Sequence, residues 1–178
     1  QKILELARVQ PLQPQAVAKA IETNSIMSSA MLGELASKGM LKISHLRIGS
    51  SPLYYLPEHS FKLQDYANTL NDKEKRAYEL LKQKLVLRDS ALDPLNRVCL
   101  RNIKDFAQAL EVNHNSIKEI FWKWYLLPEE QASDLIKKEL NIVEKKEQVK
   151  EAPKQQVQEQ LTEVKYLTKE QITPAWID

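Results

Sequence analysis

Between residues 14 and 57 the spacing of apolar side chains changes from helical to alternating, and that switch limits the fold more than any other feature of the chain. Pro14 suits a first helical turn, where its missing N–H costs nothing, and Val17, Ala18 and Ile21 make an apolar stripe up to about residue 22. Thr23, Asn24 and Ser25 interrupt it, and Ser25 reads as the N-cap of a second helix over 26–38. Ile26, Met31, Leu32 and Leu35 gather on one side of that helix, continued by Met40. Gly39 supplies the left-handed residue that stops it. Beyond Gly39, Leu41, Ile43 and His45 point one way and Lys42 and Ser44 the other, as in a half-buried strand. Residues 47–52 carry turn chemistry, and Leu53-Tyr54-Tyr55-Leu56 is a strand ended by Pro57. Residues 1–9, with Ile3, Leu4, Leu6, Ala7 and Val9, form a further helix behind the pair.

Helix, tight turn, helix, two-stranded ribbon is an order that resembles the winged helix-turn-helix superfamily, particularly its MarR-like and ArsR-like branch. The resemblance covers residues 1–66. It is carried by Ser25, Leu35, the run Lys38-Gly39-Met40-Leu41, and Gly49-Ser50-Ser51-Pro52 before Leu53-Tyr54-Tyr55. In that family the second helix enters the major groove and the wing touches the backbone or minor groove. By position, the resemblance implies a nucleic-acid face made of Ser25, Ser28, Ser29, Ala30, Gly33, Ser37 and Lys38, with Lys42 and Arg47 on the wing. The sequence departs from the family in offering serine, alanine and glycine where bidentate Arg, Gln or Asn would match base edges. A small, smooth face can equally pack against a protein, and Gly33 would let another backbone approach closely.

Further along, residues 58–70 read as an exit helix with Phe61, Leu63, Tyr66 and Leu70 as its apolar contacts. Asn71 and Glu74 have capping-box spacing and open a helix over about 72–88. Ile103, Phe106, Ala107 and Leu110 then recur at helical spacing, as do Ile117, Ile120, Phe121 and Trp124 after a turn at 113–115. Residues 71–143 are therefore expected to form a second helical domain containing a degenerate helix-turn-helix, making the protein mainly α. Phe121 and Trp124 are assigned to its core and Trp122 to an interface. Pro128 begins another helix with Ala132, Leu135, Ile136 and Leu140.

Residues 144–165 are Glu, Lys and Gln around Pro153, a composition that cannot bury a core and reads as a linker. In 166–178 apolar residues return, and Tyr166, Leu167, Ile172 and Trp176 mark a docking peptide or the start of a further segment.

A formal net charge of +2 gives no global field toward nucleic acid. Residues 71–127 hold eleven basic against eight acidic side chains, a local bias suited to phosphate contacts or to a salt-bridged surface. The single Cys99 rules out an internal disulfide and fits a cytoplasmic location, or nucleoid or nucleus if bound to DNA. No run approaches the roughly 20 apolar residues of a membrane span, and no secretory signal is visible. His45, His59 and His114 are scattered without metal-ligand spacing, and three glycines build no phosphate cradle. Asp89 and Asp93 fit capping better than acid–base work. The expectation is a protein that is not an enzyme and needs no cofactor. Two functions stay open: binding nucleic acid, with DNA ahead of RNA, or acting as an adaptor that docks proteins through the winged unit and the tail. Homodimerisation, common in that family, is compatible with either.

Overall fold

Ile3 and Ala7 stand one helical turn apart on α1 (Lys2–Val9), and both are buried. With Leu12, Val17, Leu32, Leu41, Tyr54 and Leu56 they make the core of the first of two compact units into which the chain divides. The computed structural model describes residues 1–141 and 164–166. The first unit comprises Gln1–Lys75 together with Ile103–Asp105, and the second Arg76–Asn102 and the chain from Phe106 onward.

In the first unit α2 (Pro14–Ala20) opens at Pro14 and α3 (Ser25–Ser37) follows after a short turn. The N-cap of α3 is Asn24 rather than Ser25: its Oδ1 accepts the Met27 N–H at 2.8 Å. At the other end Gly39 adopts φ +74, so that its N–H reaches the Ala36 carbonyl and the Met40 N–H reaches the Leu35 carbonyl. Those two bonds satisfy carbonyls that a helix end otherwise leaves open.

The hairpin β1 (Lys42–Ile48) and β2 (Ser51–Tyr55) turns through Gly49, whose φ is +63. Leu12 joins it as a one-residue bridge, exchanging both backbone hydrogen bonds with Tyr54 at 2.7 and 2.9 Å. Within β1 the inward residues are Ser44 and Leu46, while Ile43 and His45, expected inside, are exposed. The phase changes at the start of the strand, where Lys42 and Ile43 are both exposed after buried Leu41, and alternation then holds to Arg47. A bulge between Ile43 and Arg47 leaves three residues of β1 opposite Leu53 alone. The Asp105 carboxylate accepts the His45 and Leu46 N–H groups at 2.8 and 2.6 Å, and the Ser44 hydroxyl accepts the Leu53 N–H. Residues Pro57–Thr69 form 3-10 turns with a kink at His59; Leu63 is buried, but Phe61 is exposed.

The second unit is not a pair of helices. A four-stranded antiparallel sheet in the order β3-β5-β4-β6 occupies it, built from β3 (Val86–Arg88), β4 (Ala107–His114), β5 (Ile117–Trp124) and β6 (Val164–Tyr166). Its helices are α4 (Asp72–Lys84) from Arg76 onward, α5 (Pro94–Asn102) and α6 (Glu129–Glu139). The expected capping box holds at α4, where Asn71 and Glu74 bond to each other's N–H. That helix stops earlier than its apolar spacing suggests, because Leu85 turns to φ +66 and the chain enters β3.

Residues 107–110 and 117–124, expected in helices, lie in strands, and the turn expected at 113–115 falls partly inside β4. Helices cover both faces of this sheet, so the run Phe121 to Trp124 is buried at every position instead of alternating. One face carries Leu110, Val112 and Phe121 against Ile136 of α6. On the other, Trp124 meets the Tyr78 ring of α4 edge-on at 5.3 Å, and Ala107 and Ala109 stand opposite Trp124 and Trp122, small against large. The two-residue loop Asn115-Ser116 has φ +51 and +63, the mirror-image turn that matches strand twist. Val164–Tyr166 pairs with β4 as an edge strand, so Val164 and Lys165, expected in the linker, and Tyr166, expected in the docking peptide, lie in the sheet.

Candidate functional site: the outer face of α3 and the hairpin

Packing against α2 decides which residues of α3 reach solvent. Leu32 is fully buried, and so is Ser28, whose hydroxyl lies 2.8 Å from the Pro14 carbonyl and 3.0 Å from that of Ser25. Ser28 therefore ties α3 to the start of α2 and cannot touch a ligand. Two further serine hydroxyls bond back along the helix: Ser29 donates to the Ser25 carbonyl at 2.7 Å and Ser37 to the Gly33 carbonyl at 2.9 Å. Such back-bonding is what a Ser side chain does in a helix interior.

The first half of the outward face is mostly apolar. Ile26 is 83% exposed, Met27 49% and Met31 37%, with Ala30 exposed among them and Gly33 beside it. Ile26 and Met31, expected in the core, instead look out, because burial on α3 is centred on Ser28, Leu32 and Leu35. Charge enters only at the C-terminal end, where the Lys38 ammonium contacts Glu34 at 2.5 Å one turn back. That contact holds the Glu34 carboxyl below its ordinary pKa. The nine positions expected on a nucleic-acid face thus divide. Ser25, Ala30, Ser37, Lys38, Lys42 and Arg47 are exposed, Ser29 and Gly33 are half-buried, and Ser28 is enclosed.

On the hairpin, Arg47 donates to the Ser50 carbonyl at 2.9 Å, which bends its guanidinium over the turn. Beneath, Tyr55 is buried and its pKa is pushed up to about 12, first by burial and then by the negative charge of Asp105. Asp105 was missed in the sequence, where nothing marks a residue sixty positions away as the anchor of a β1 bulge.

In the second unit Trp122, expected at an interface, is 1% exposed. Its Nε1 donates to Asp89 at 2.9 Å, and the Arg101 guanidinium lies 5.4 Å from its ring centre. Asp89 also accepts from Arg97 at 2.7 Å and Arg101 at 3.1 Å. Burial raises the Asp89 carboxyl, but the bonds from Trp122, Arg97 and Arg101 outweigh it, and the net shift is downward. Arg88 grips Glu119 with two nitrogens, Lys118 reaches Glu111, and buried Lys123 donates to the Leu127 carbonyl. Five of the eleven basic residues in 71–127 are therefore held by hydrogen bonds or ion pairs within the unit, and Lys82 lies over the Tyr78 ring. Asp93, the other carboxylate of the pair noted in the sequence, accepts the Asn96 N–H at the start of α5.

Among the described residues no group of three His, Cys, Asp or Glu side chains could hold a metal ion, and no helix is long and apolar enough to cross a membrane. Leu167, Ile172 and Trp176 lie outside the described residues, and so does the Tyr166 side chain. No family model, curated protein or solved structure matches the chain.

Proposed function

We propose that the first unit is a winged helix used to dock protein, and that the chain is a non-catalytic adaptor. In this reading α2 and α3 are the helix-turn-helix pair, β1 and β2 the wing, and Leu12 the short third strand at its base. The observation that carries the proposal is the composition of α3's solvent face: Ile26, Met27, Ala30 and Met31 stand out, while three serine hydroxyls bond inward. A base-reading helix needs donors and acceptors directed at base edges, whereas exposed Ile and Met gain free energy by leaving water. Support for a non-catalytic role comes from what the shifted acids do. Asp89, Glu119 and Asp93 each bind a partner that holds the fold together.

Exposed Lys42 and Arg47 favour a second reading in which the wing touches phosphates. Anisotropy titration of labelled duplex DNA, duplex RNA and single strands at two salt concentrations separates the two. The adaptor predicts weak binding to all three and no effect of Arg47→Glu. Tight, salt-steep binding lost in Arg47→Glu would replace it with the nucleic-acid reading.

A further inference from the structure

The register of β4 on β5 runs unbroken from Ala107 opposite Trp124 to His114 opposite Ile117. A two-residue turn makes His114 and Ile117 a hydrogen-bonded pair, and alternation from there turns the N–H and C=O groups of Ala107, Ala109, Glu111 and Asn113 away from β5. A long, regular edge of this kind is a template for another strand. The hairpin of the first unit blunts its edge: β1 is bulged, and the Asp105 carboxylate takes its His45 and Leu46 amides. β4 carries no such bulge.

What covers the β4 edge is β6, with Tyr166 opposite Leu110, Lys165 opposite Glu111 and Val164 opposite Val112. It stands last in the sheet order and bonds to β4 alone. Its three residues span less than half of the eight in β4, and the chain reaches them only after residues 142–163. The edge thus already seats a short extended segment brought in from a distant part of the sequence.

We propose that the outer edge of β4 is a strand-addition site for an extended segment of a protein partner, and that β6 occupies it in competition with that partner. Main-chain bonds supply affinity in such sites, and alternate side chains supply specificity. Leu110 and Val112 are buried on the face that packs against Ile136, with the half-buried Glu111 between them. The Glu111 Oε1 meets Lys118 of β5 at 3.1 Å, and a carboxylate has a second oxygen for a cation on its other flank. The partner segment is therefore apolar, basic, apolar at the three positions, the order that Val164, Lys165 and Tyr166 hold in register. A tether raises the effective concentration of β6, while a partner longer than three residues gains ladder bonds along the rest of β4. This proposal goes beyond the reading of α3 and does not rest on it.

The test is fluorescence anisotropy of a labelled peptide copying residues 162–168, titrated with the full chain and with its Lys165→Pro variant, circular dichroism confirming the fold of each. Proline has no N–H to give the ladder, so the variant is expected to release the edge and bind the peptide about tenfold tighter than the parent or more. Tenfold corresponds to an edge vacant about one tenth of the time in the parent. A peptide with the same Lys165→Pro change should bind neither chain. In the variant, hydrogen exchange at the Glu111 amide should quicken, and the peptide should slow it again. Adding Glu111→Lys to the variant should weaken the peptide, and a Lys165→Glu peptide should recover the loss. Equal affinity for parent and variant, binding of the proline peptide, or Glu111 exchange that the peptide does not slow overturns the proposal. Salt-steep nucleic-acid binding lost in Arg47→Glu would remove the α3 reading and leave this one standing.

Discussion

Asp89 shows how one side chain can hold a local structure while resembling a chemical group. It is 4% exposed and receives Trp122, Arg97 and Arg101. Removing one member of a buried ionic cluster strands the others, so Asp89→Ala should destabilise the second unit by about 3–5 kcal/mol in denaturant unfolding. Its folded-state pKa lies below the ordinary 3.8, so the cluster's stabilisation is present above that value and is lost as pH falls through the depressed one. Tyr55 has the opposite sign. Its folded pKa of about 12 exceeds the ordinary 10.0, so its contribution is complete below pH 10 and disappears as pH rises toward 12. Tyr55→Phe should therefore flatten stability against pH across that interval, followed by chemical unfolding at several pH values. At the tip of β4–β5, Ser116 holds φ +63 with an exposed side chain. Glycine takes that conformation without the steric cost, and Ser116→Gly should raise stability by about 0.5 kcal/mol, part of the gain being offset by a freer unfolded chain.

At the scale of elements, legibility followed the number of faces buried. α1, α2, α3 and the hairpin were readable because each shows one face to solvent and Gly39 and Gly49 punctuate them. β4 and β5 were not, because a strand covered on both faces loses its period of two. Ile117, Ile120, Phe121 and Trp124 then fall at helical spacing by coincidence. The aromatic and β-branched content of IKEIFWKW and the Asn115-Ser116 turn were the better signals. On α3 the spacing was read correctly as helical, but the apolar residues run round most of the helix, and sequence could not say which side faced the core. Only packing against α2 resolves it. The bulge in β1 belongs to this scale too, since its amides are satisfied from Asp105. Asp105→Ala should cost about 1–3 kcal/mol and speed hydrogen exchange at the His45 and Leu46 amides in particular.

Over the whole molecule, two units share one chain without a simple cut between them, because Ile103–Asp105 belongs with the first although it follows α5. That non-contiguity is invisible to a reading that moves along the sequence. The formal net charge of the chain is +2, and in the second unit Arg88, Arg97 and Arg101 are paired with Glu119 and Asp89. The first unit exposes Ile26, Met27, Ala30 and Met31 on one helix face. The chain has three methionines, Met27, Met31 and Met40, two of them on that face and the third just past the end of α3. The most direct measurement is a methyl NMR spectrum of the full chain with labelled methionine, recorded with and without excess duplex DNA. The account predicts that Met27 and Met31 signals stay in place when duplex is added. Met27 and Met31 signals that shift with duplex would contradict it.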